Sequence, residues 1–378
     1  MFDNIKRLIN KSEELGIPAM DISVFYDGKE VFRELRGVMD ESNSPLTEKT
    51  LFNIYSCSKF ITCTLALSLL EEGKFSLDDD VADYISAFGD MRVKKCGTLV
   101  RAEKRLKLFH LFTMTGGLCY DAYDPQVLRG IEETEGLCPT VKMMDYIAKM
   151  PLEFEPGEDW KYSFSHDVIA AIVEIVSGKR FGDFAKERIF SPLGMNNTTF
   201  SLPDERLPEV CTQYLYNKDK CEYVNIGKKI RSYKLGSLYE SGGAGCVSTV
   251  NDYIRFLEAV RTYKIISKDT VDKMKTDYLK DSQRPSCWVS KGYGYGLGVR
   301  TPDSTKRRTD FGWNGAAGAF GAVDVQNKIS LYYSQAVLAS PARPLQADYI
   351  EAAKLDLGFS AYEEEMWKES VNPLAGIY

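Results

Sequence analysis

Two strand-rich blocks sit at opposite ends of this 378-residue chain, and they constrain its fold more than anything between them. In the first, Met20-Asp21-Ile22-Ser23-Val24-Phe25 is followed by the turn pair Asp27-Gly28 and by Glu30-Val31-Phe32-Arg33-Glu34-Leu35. Side chains of an extended chain alternate between faces, and Asp-Gly adopts the backbone angles of a tight turn, so the segment reads as a β-hairpin. In the second, residues 319–324 and 329–333 flank Gln326-Asn327-Lys328 and read as another hairpin. A helix with Phe2, Ile5, Leu8 and Ile9 at helical spacing opens the chain, and Gly16-Ile17-Pro18 stops it. The middle reads as helices and loops, with helices expected over 168–176 and 181–189. Strand blocks at both ends of a helical insertion predict an α/β (α+β) architecture. An antiparallel sheet flanked by helices is expected from residues 1–75 and 235–378, and a mainly helical lobe from 76–234. A site at the lobe boundary is the natural expectation.

Composition narrows the function. Lys plus Arg total 48 against 54 for Asp plus Glu, a net charge of −6, which leaves no global positive excess to neutralise nucleic-acid phosphates. No stretch reaches the roughly 18 uninterrupted apolar residues that a membrane span needs, and no signal-like apolar run follows Met1, so a cytoplasmic protein that binds no membrane is expected. The 9 cysteines include no Cys-x-x-Cys pair, which fits reduced thiols. With only His110 and His166 available, a histidine metal centre is not expected. The nucleophile elbow, His-Glu-x-x-His, the phosphate-binding loop and Gly-x-Gly-x-x-Gly are all missing. The run Gly292-Tyr293-Gly294-Tyr295-Gly296-Leu297-Gly298 reads instead as a close-packed strand or turn.

Three segments remain that could carry chemistry. Ser56 and Lys59 lie in Tyr55-Ser56-Cys57-Ser58-Lys59, where a helix begins that Gly73 closes. Three residues is nearly one turn, so hydroxyl and amine share a helix face. A lysine pressed against apolar residues loses its charge and can accept the serine proton. Ser-x-x-Lys also arises by chance in a chain this long, and Ser56 reads equally as a helix N-cap. Next, Trp160-Lys161-Tyr162-Ser163-Phe164-Ser165 precedes the helix at 168, for which Ser165 is the expected N-cap. Tyr162 there is either a proton relay or an ordinary half-buried tyrosine. Last, Trp313-Asn314-Gly315-Ala316-Ala317-Gly318 precedes the late hairpin. Its small residues allow backbone N–H groups to approach a ligand, or simply form a tight turn.

Taken together and in this order, the three segments resemble the serine β-lactamase and penicillin-binding-protein family, in its class C-like, esterase-related branch. Supporting stretches are His110-Leu111-Phe112-Thr113-Met114-Thr115-Gly116-Gly117-Leu118, Leu77-Asp78-Asp79-Asp80-Val81 and Ser241-Gly242-Gly243-Ala244-Gly245. The resemblance implies Ser56 as acylated nucleophile, Lys59 as base or holder of the proton network, and Tyr162 as acid/base partner. It implies an oxyanion hole from the N–H groups of Ser56 and Ala316, and substrate contacts at Trp313, Asn314, Gly315 and Phe164. The resemblance implies a small ester, amide or β-lactam-like molecule as partner and no metal or organic cofactor; the oligomeric state stays open. Two departures stand out. Trp313 occupies the place of the lysine that meets a substrate carboxylate, and Phe164 that of an amide-binding asparagine. Both favour an apolar acyl group, so a carboxylesterase-like serine hydrolase is expected first. A D-amino-acid peptidase or weak β-lactamase comes next, and the other class of reading is a non-catalytic binding protein. His110, His166 and Cys57 are read as structural, Asp78-Asp79-Asp80 as a solvated loop, and 94–107 as a charged surface.

Overall fold

A computed structural model describes residues 1–229, 234–305 and 307–361. Both expected hairpins form, and they lie side by side. Strands β1 (Ala19–Tyr26) and β2 (Lys29–Gly37) join β3 (Tyr293–Tyr295), β4 (Arg300–Pro302), β5 (Phe311–Asn314), β6 (Phe320–Asp324) and β7 (Ile329–Gln335). The sheet order is β2-β1-β7-β6-β5-β4-β3, with every neighbouring pair antiparallel. The seam between the two chain ends is β1 against β7, with Ile22 opposite Tyr333 and Val24 opposite Leu331.

The period of two in β7 decides what each face meets. Tyr332 stacks at 4.1 Å on Tyr253 of helix α4 (Val250–Arg261), while Tyr333 points the other way and stacks at 4.5 Å on Tyr349 of α5 (Gln346–Asp356). Helix α1 (Asp3–Glu14) packs with α5 on that second face, burying Ile5, Leu8 and Ile9. On the first face lie α2 (Ser58–Glu71) and α3 (Ser165–Ser177), which pack against each other. In α2 every residue from Ser58 to Leu69 is buried, so the helix is enclosed all round and fixes whatever stands at its start.

Several local expectations are corrected. The middle of the chain contains antiparallel hairpins, Arg92–Lys95 with Thr98–Arg101 and Gln213–Asn217 with Glu222–Gly227. The strand Thr98–Arg101 is exposed along its whole length and Glu222–Gly227 buries no residue, so neither carries the apolar alternation that marks a half-buried strand. Residues 181–189 are helical over Phe181–Ala185 and then widen into a π turn, Lys186–Phe190. Phe164, not Ser165, is the N-cap of α3; the Ser165 hydroxyl pairs with that of Ser163 at 2.7 Å. Ser56 does not cap α2, whose N-cap is Cys57; it sits in the short 3-10 turn Tyr55–Cys57 just before it. The glycine-rich run forms β3 and the turn after it, packed so closely that a Cβ on Gly296 would lie 2.0 Å from the Met274 carbonyl oxygen. No helix among the described residues is long and apolar enough to cross a membrane.

Candidate active site

Ser56 is 8% exposed at the mouth of α2, held by a short extended segment, Phe52–Asn53, that pairs with Val247–Ser248. Tyr55 before it has φ 45°, a left-handed conformation uncommon for a bulky residue. Its phenol is anchored by a short hydrogen bond to Gln213 Oε1, and the Tyr253 hydroxyl donates to the Cys57 carbonyl at 2.8 Å. Strain held in place by such partners is typical of a residue whose side chain must be presented at one spot.

The Ser56 hydroxyl meets both groups expected of it. Lys59 Nζ lies 3.3 Å from Ser56 Oγ, and the Tyr162 hydroxyl donates to the same oxygen at 2.6 Å. Lys59 is fully buried; its ammonium also donates to the Gly243 carbonyl at 2.6 Å and lies 4.5 Å from the Tyr162 ring centroid and 5.0 Å from that of Tyr120. Burial pushes its pKa down from 10.5 to about 7, partly opposed by the negative charge of Asp167. A near-neutral amine, a serine and a phenol within hydrogen-bond reach can move a proton among them.

The turn after β5 closes the site from the other side. Gly315 packs so tightly on the segment before Ser56 that a Cβ there would lie 2.4 Å from the Ile54 carbonyl oxygen. Its N–H bonds to Ala319 at 2.7 Å, and buried Ala316 follows, packed in one apolar cluster with Tyr55 and Ala244. The Cys57 thiol reaches the Trp313 carbonyl at 3.5 Å, and burial pushes its pKa up to about 12, so it tethers turn to helix as a neutral group.

Trp313 stands against the site as expected, its ring parallel to Tyr162 at 6.0 Å. Two other predicted contacts are taken up by protein partners. Phe164 is 1% exposed and packs edge-on against Tyr120 at 4.7 Å, inside the core. The Asn314 amide is taken up by Arg300, which donates to Oδ1 at 2.9 Å, and by Gln346, whose Oε1 accepts at 3.0 Å. Arg300 is itself held by Asp310 at 3.1 Å, so it does not stand in for the absent carboxylate-binding lysine. His110 accepts the Lys107 N–H at 3.2 Å, and burial followed by Lys107 holds its pKa down at about 4. His166 is fully buried in α3 and its pKa is held well below the usual value, first by burial.

Sequence reasoning missed two parts of the site. The wall beside Tyr162 and Trp313 includes Trp160, Trp288 and Tyr295, with Trp288 5.2 Å from Tyr162 and Tyr295 5.2 Å from Trp313. These aromatics come from two distant segments, one around 160 and one at 288–295, and only a shared neighbourhood in space joins them. The other is Asp167, enclosed below Lys59, where an acidic residue in a helix's first turn reads as an ordinary partner of the helix dipole. Among the described residues no cluster of His, Cys, Asp and Glu could hold a metal ion.

Known proteins share this architecture. An uncharacterised protein of Mycobacterium tuberculosis is 28% identical over 321 residues, 78% of this chain and 79% of its own. Esterase EstB of Burkholderia gladioli is 27% identical over 301 residues, 72% of this chain and 71% of its own. Among solved structures, EstCE1, described as a hydrolase with promiscuous acyltransferase activity, superposes with a TM-score of 0.76 over 92% of this chain and 97% of its own, at 24% identity. The Beta-lactamase family model matches residues 5–354, nearly the whole chain. The protein is therefore a member of the β-lactamase family, with the β-lactamase and transpeptidase-like fold, and an enzyme of the hydrolase kind that family contains.

Proposed function

We propose that the protein hydrolyses small, uncharged esters through an acyl-enzyme on Ser56. The observation that carries this reading is the convergence of the Lys59 amine and the Tyr162 hydroxyl on one serine oxygen. Neutral Lys59 takes the Ser56 proton as Oγ attacks the ester carbonyl carbon. The N–H groups of Ser56 and Ala316 receive the negative charge that develops on the carbonyl oxygen. The C–O bond to the alcohol then breaks, and Tyr162 gives the departing alkoxide its proton and is reprotonated from Lys59. Water repeats the sequence in reverse on the acyl-serine, releasing the acid and restoring the Ser56 hydroxyl.

Esters rank ahead of β-lactams and D-amino-acid peptides because the turn offers the apolar face of Trp313 where a cation would meet a carboxylate, and Arg300 is already paired. EstB bears the name esterase, which agrees with this choice. All nine cysteines are unbridged, which supports a reducing compartment such as the cytoplasm. The test is labelling with a fluorophosphonate followed by peptide mapping. Modification confined to Ser56, absent in Ser56→Ala and slowed at least a hundredfold in Lys59→Ala, is expected. A folded parent that stays unlabelled and turns over no ester would establish the binding-protein alternative.

A further inference from the structure

The mechanism above leaves unused a fully buried acid whose charge acts on Lys59. Asp167 stands in the first turn of α3, five residues after Tyr162, and its Oδ1 accepts three hydrogen bonds. They come from the Ser241 hydroxyl at 2.6 Å, the Tyr239 hydroxyl at 2.9 Å and the Gly243 N–H at 3.3 Å. Its Oδ2 is buried with no hydrogen-bond partner. The segment it grips is the one whose Gly243 carbonyl receives the Lys59 ammonium at 2.6 Å. Gly243 therefore touches the acid through its N–H and the lysine through its C=O.

The packing leaves no slack in this bridge. A Cβ on Gly243 would lie 2.4 Å from Asp167 Oδ2, and one on Gly242 would lie 2.6 Å from both the His166 carbonyl oxygen and Ala170 Cβ. The Gly242 carbonyl is in turn held by Thr62 Oγ1 of α2 at 2.7 Å. Two adjacent glycines thus let one loop press against α2 and α3 together, which brings an acid on one helix and a lysine on the other to opposite sides of a single residue.

We propose that Asp167 is a positioning residue for the acylation of Ser56, fixing the Gly243 carbonyl on Lys59 and supplying the buried negative charge that sets the basicity of the amine. The inference rests on the Ser56 reading given above. It also gives the orphaned Oδ2 a purpose. A carboxylate with one oxygen fully bonded and the other bare, in a dry interior, projects its charge with little screening. The groups facing Lys59 are few: Asp167 and His166 from α3, Tyr162 and Tyr120 from the loops before it, and Cys57 and Cys63 from its own turn and helix. Burial holds both thiols and the imidazole neutral, since it raises the two cysteine pKa values and lowers that of His166. Asp167 is then the anionic candidate among them, and burial raises its own pKa against the pull of Lys59 and its three donors.

The experiment compares the pH dependence of Ser56 labelling by a fluorophosphonate in the parent and in Asp167→Asn, which keeps the shape and removes the charge. Without the charge, protonated Lys59 is less favoured, so the acidic limb of the profile is expected to move down by about one pH unit. The rate on the plateau should fall by up to about tenfold, because a weaker base remains. An Asn variant that folds and labels with the parent's acidic limb unmoved would overturn the proposal, whatever its absolute rate, since a purely structural role leaves the limb in place. Asp167→Ser, smaller and also neutral, gives the same reading should the Asn variant not fold. If the parent itself does not label at Ser56, the reading of the nucleophile fails and this inference falls with it. If the parent labels and the limb does not move, only this inference falls.

Discussion

At the scale of single residues, the decisive quantity is the charge on Lys59. Its ordinary pKa of 10.5 is brought to about 7 by burial, against the pull of Asp167. In the proposed mechanism the neutral amine is the proton acceptor, so kcat/KM for p-nitrophenyl acetate should rise tenfold per pH unit below about 7 and level off above it. A profile flat from pH 5 to 9 would remove Lys59 from the proton path. Tyr162→Phe tests the other partner. It deletes the 2.6 Å hydrogen bond to Ser56 Oγ while leaving the ring beside Trp313, so kcat should drop by about 10²–10⁴ with an unchanged circular dichroism spectrum. Retention of more than a tenth of parental kcat would exclude the phenol as proton donor. Ser56, Lys59 and Tyr162 were legible in sequence because each stands in a short motif, and the motifs come in a recognisable order. Phe164 and Asn314 were misplaced because a motif gives a position along the chain and not the direction of a side chain. In both cases the side chain takes another partner, the Tyr120 ring for Phe164 and the Arg300 guanidinium for Asn314.

Elements carry the site through close approach, and the turn after β5 shows how little room there is. Gly315 rests against the Ile54 carbonyl, and a Cβ at that position would come within 2.4 Å of it and 3.0 Å of Ala319 Cβ. Backbone cannot yield as a flexible side chain can, so in Gly315→Ala the turn must lift from the segment before Ser56 and carry the Ala316 N–H with it. Losing one donor to the developing oxyanion costs about 10²–10³ in acylation rate. Stopped-flow measurement of the first turnover should show that loss with Tyr162 and Lys59 intact. An acylation rate within a factor of three of the parent would mean that the Ala316 N–H takes no part. The hairpin of β1 with β2 was legible because the Asp27-Gly28 turn pair and alternation specify it, and that of β6 with β7 because two strand-rich runs flank the short polar stretch Gln326-Asn327-Lys328. The hairpin at 92–101 was not, since Thr98–Arg101 lies open to solvent along its whole length and Val93 is the one buried residue of its partner strand, leaving no run of apolar alternation to mark it.

At the scale of the whole molecule, the two ends of the chain hold each other on the sheet face opposite α2. Helix α1 begins without a side-chain cap of its own. Its free N–H groups are met instead by Asp356, the last residue of α5, which accepts from the Asn4 N–H at 3.1 Å, the Ile5 N–H at 3.0 Å and the Asn4 amide at 2.9 Å. A carboxylate on a helix N-terminus also meets the positive end of its dipole. This cap spans 352 residues of sequence, which is why neither helix boundary reveals it. Beside it, buried Lys354 sits 3.1 Å from Glu351, 3.5 Å from Asp324 and 3.9 Å from Asp310, tying α5 to β6 and to the segment leading into β5. The two contacts differ in kind, so their removal should differ in size. Asp356→Ala loses a partly exposed cap and should cost about 0.5–2 kcal/mol. Lys354→Met strands buried carboxylates without their cation and should cost about 3–5 kcal/mol. Urea unfolding of both variants, with ester turnover measured below the transition, separates the effects. Stability should fall in that order while kcat holds within twofold, because neither residue reaches Ser56. Equal losses from the two variants would mean that the buried charges around Lys354 are not held together by it, and that Arg300 and Arg308, which flank Asp310 and Glu351, neutralise them unaided.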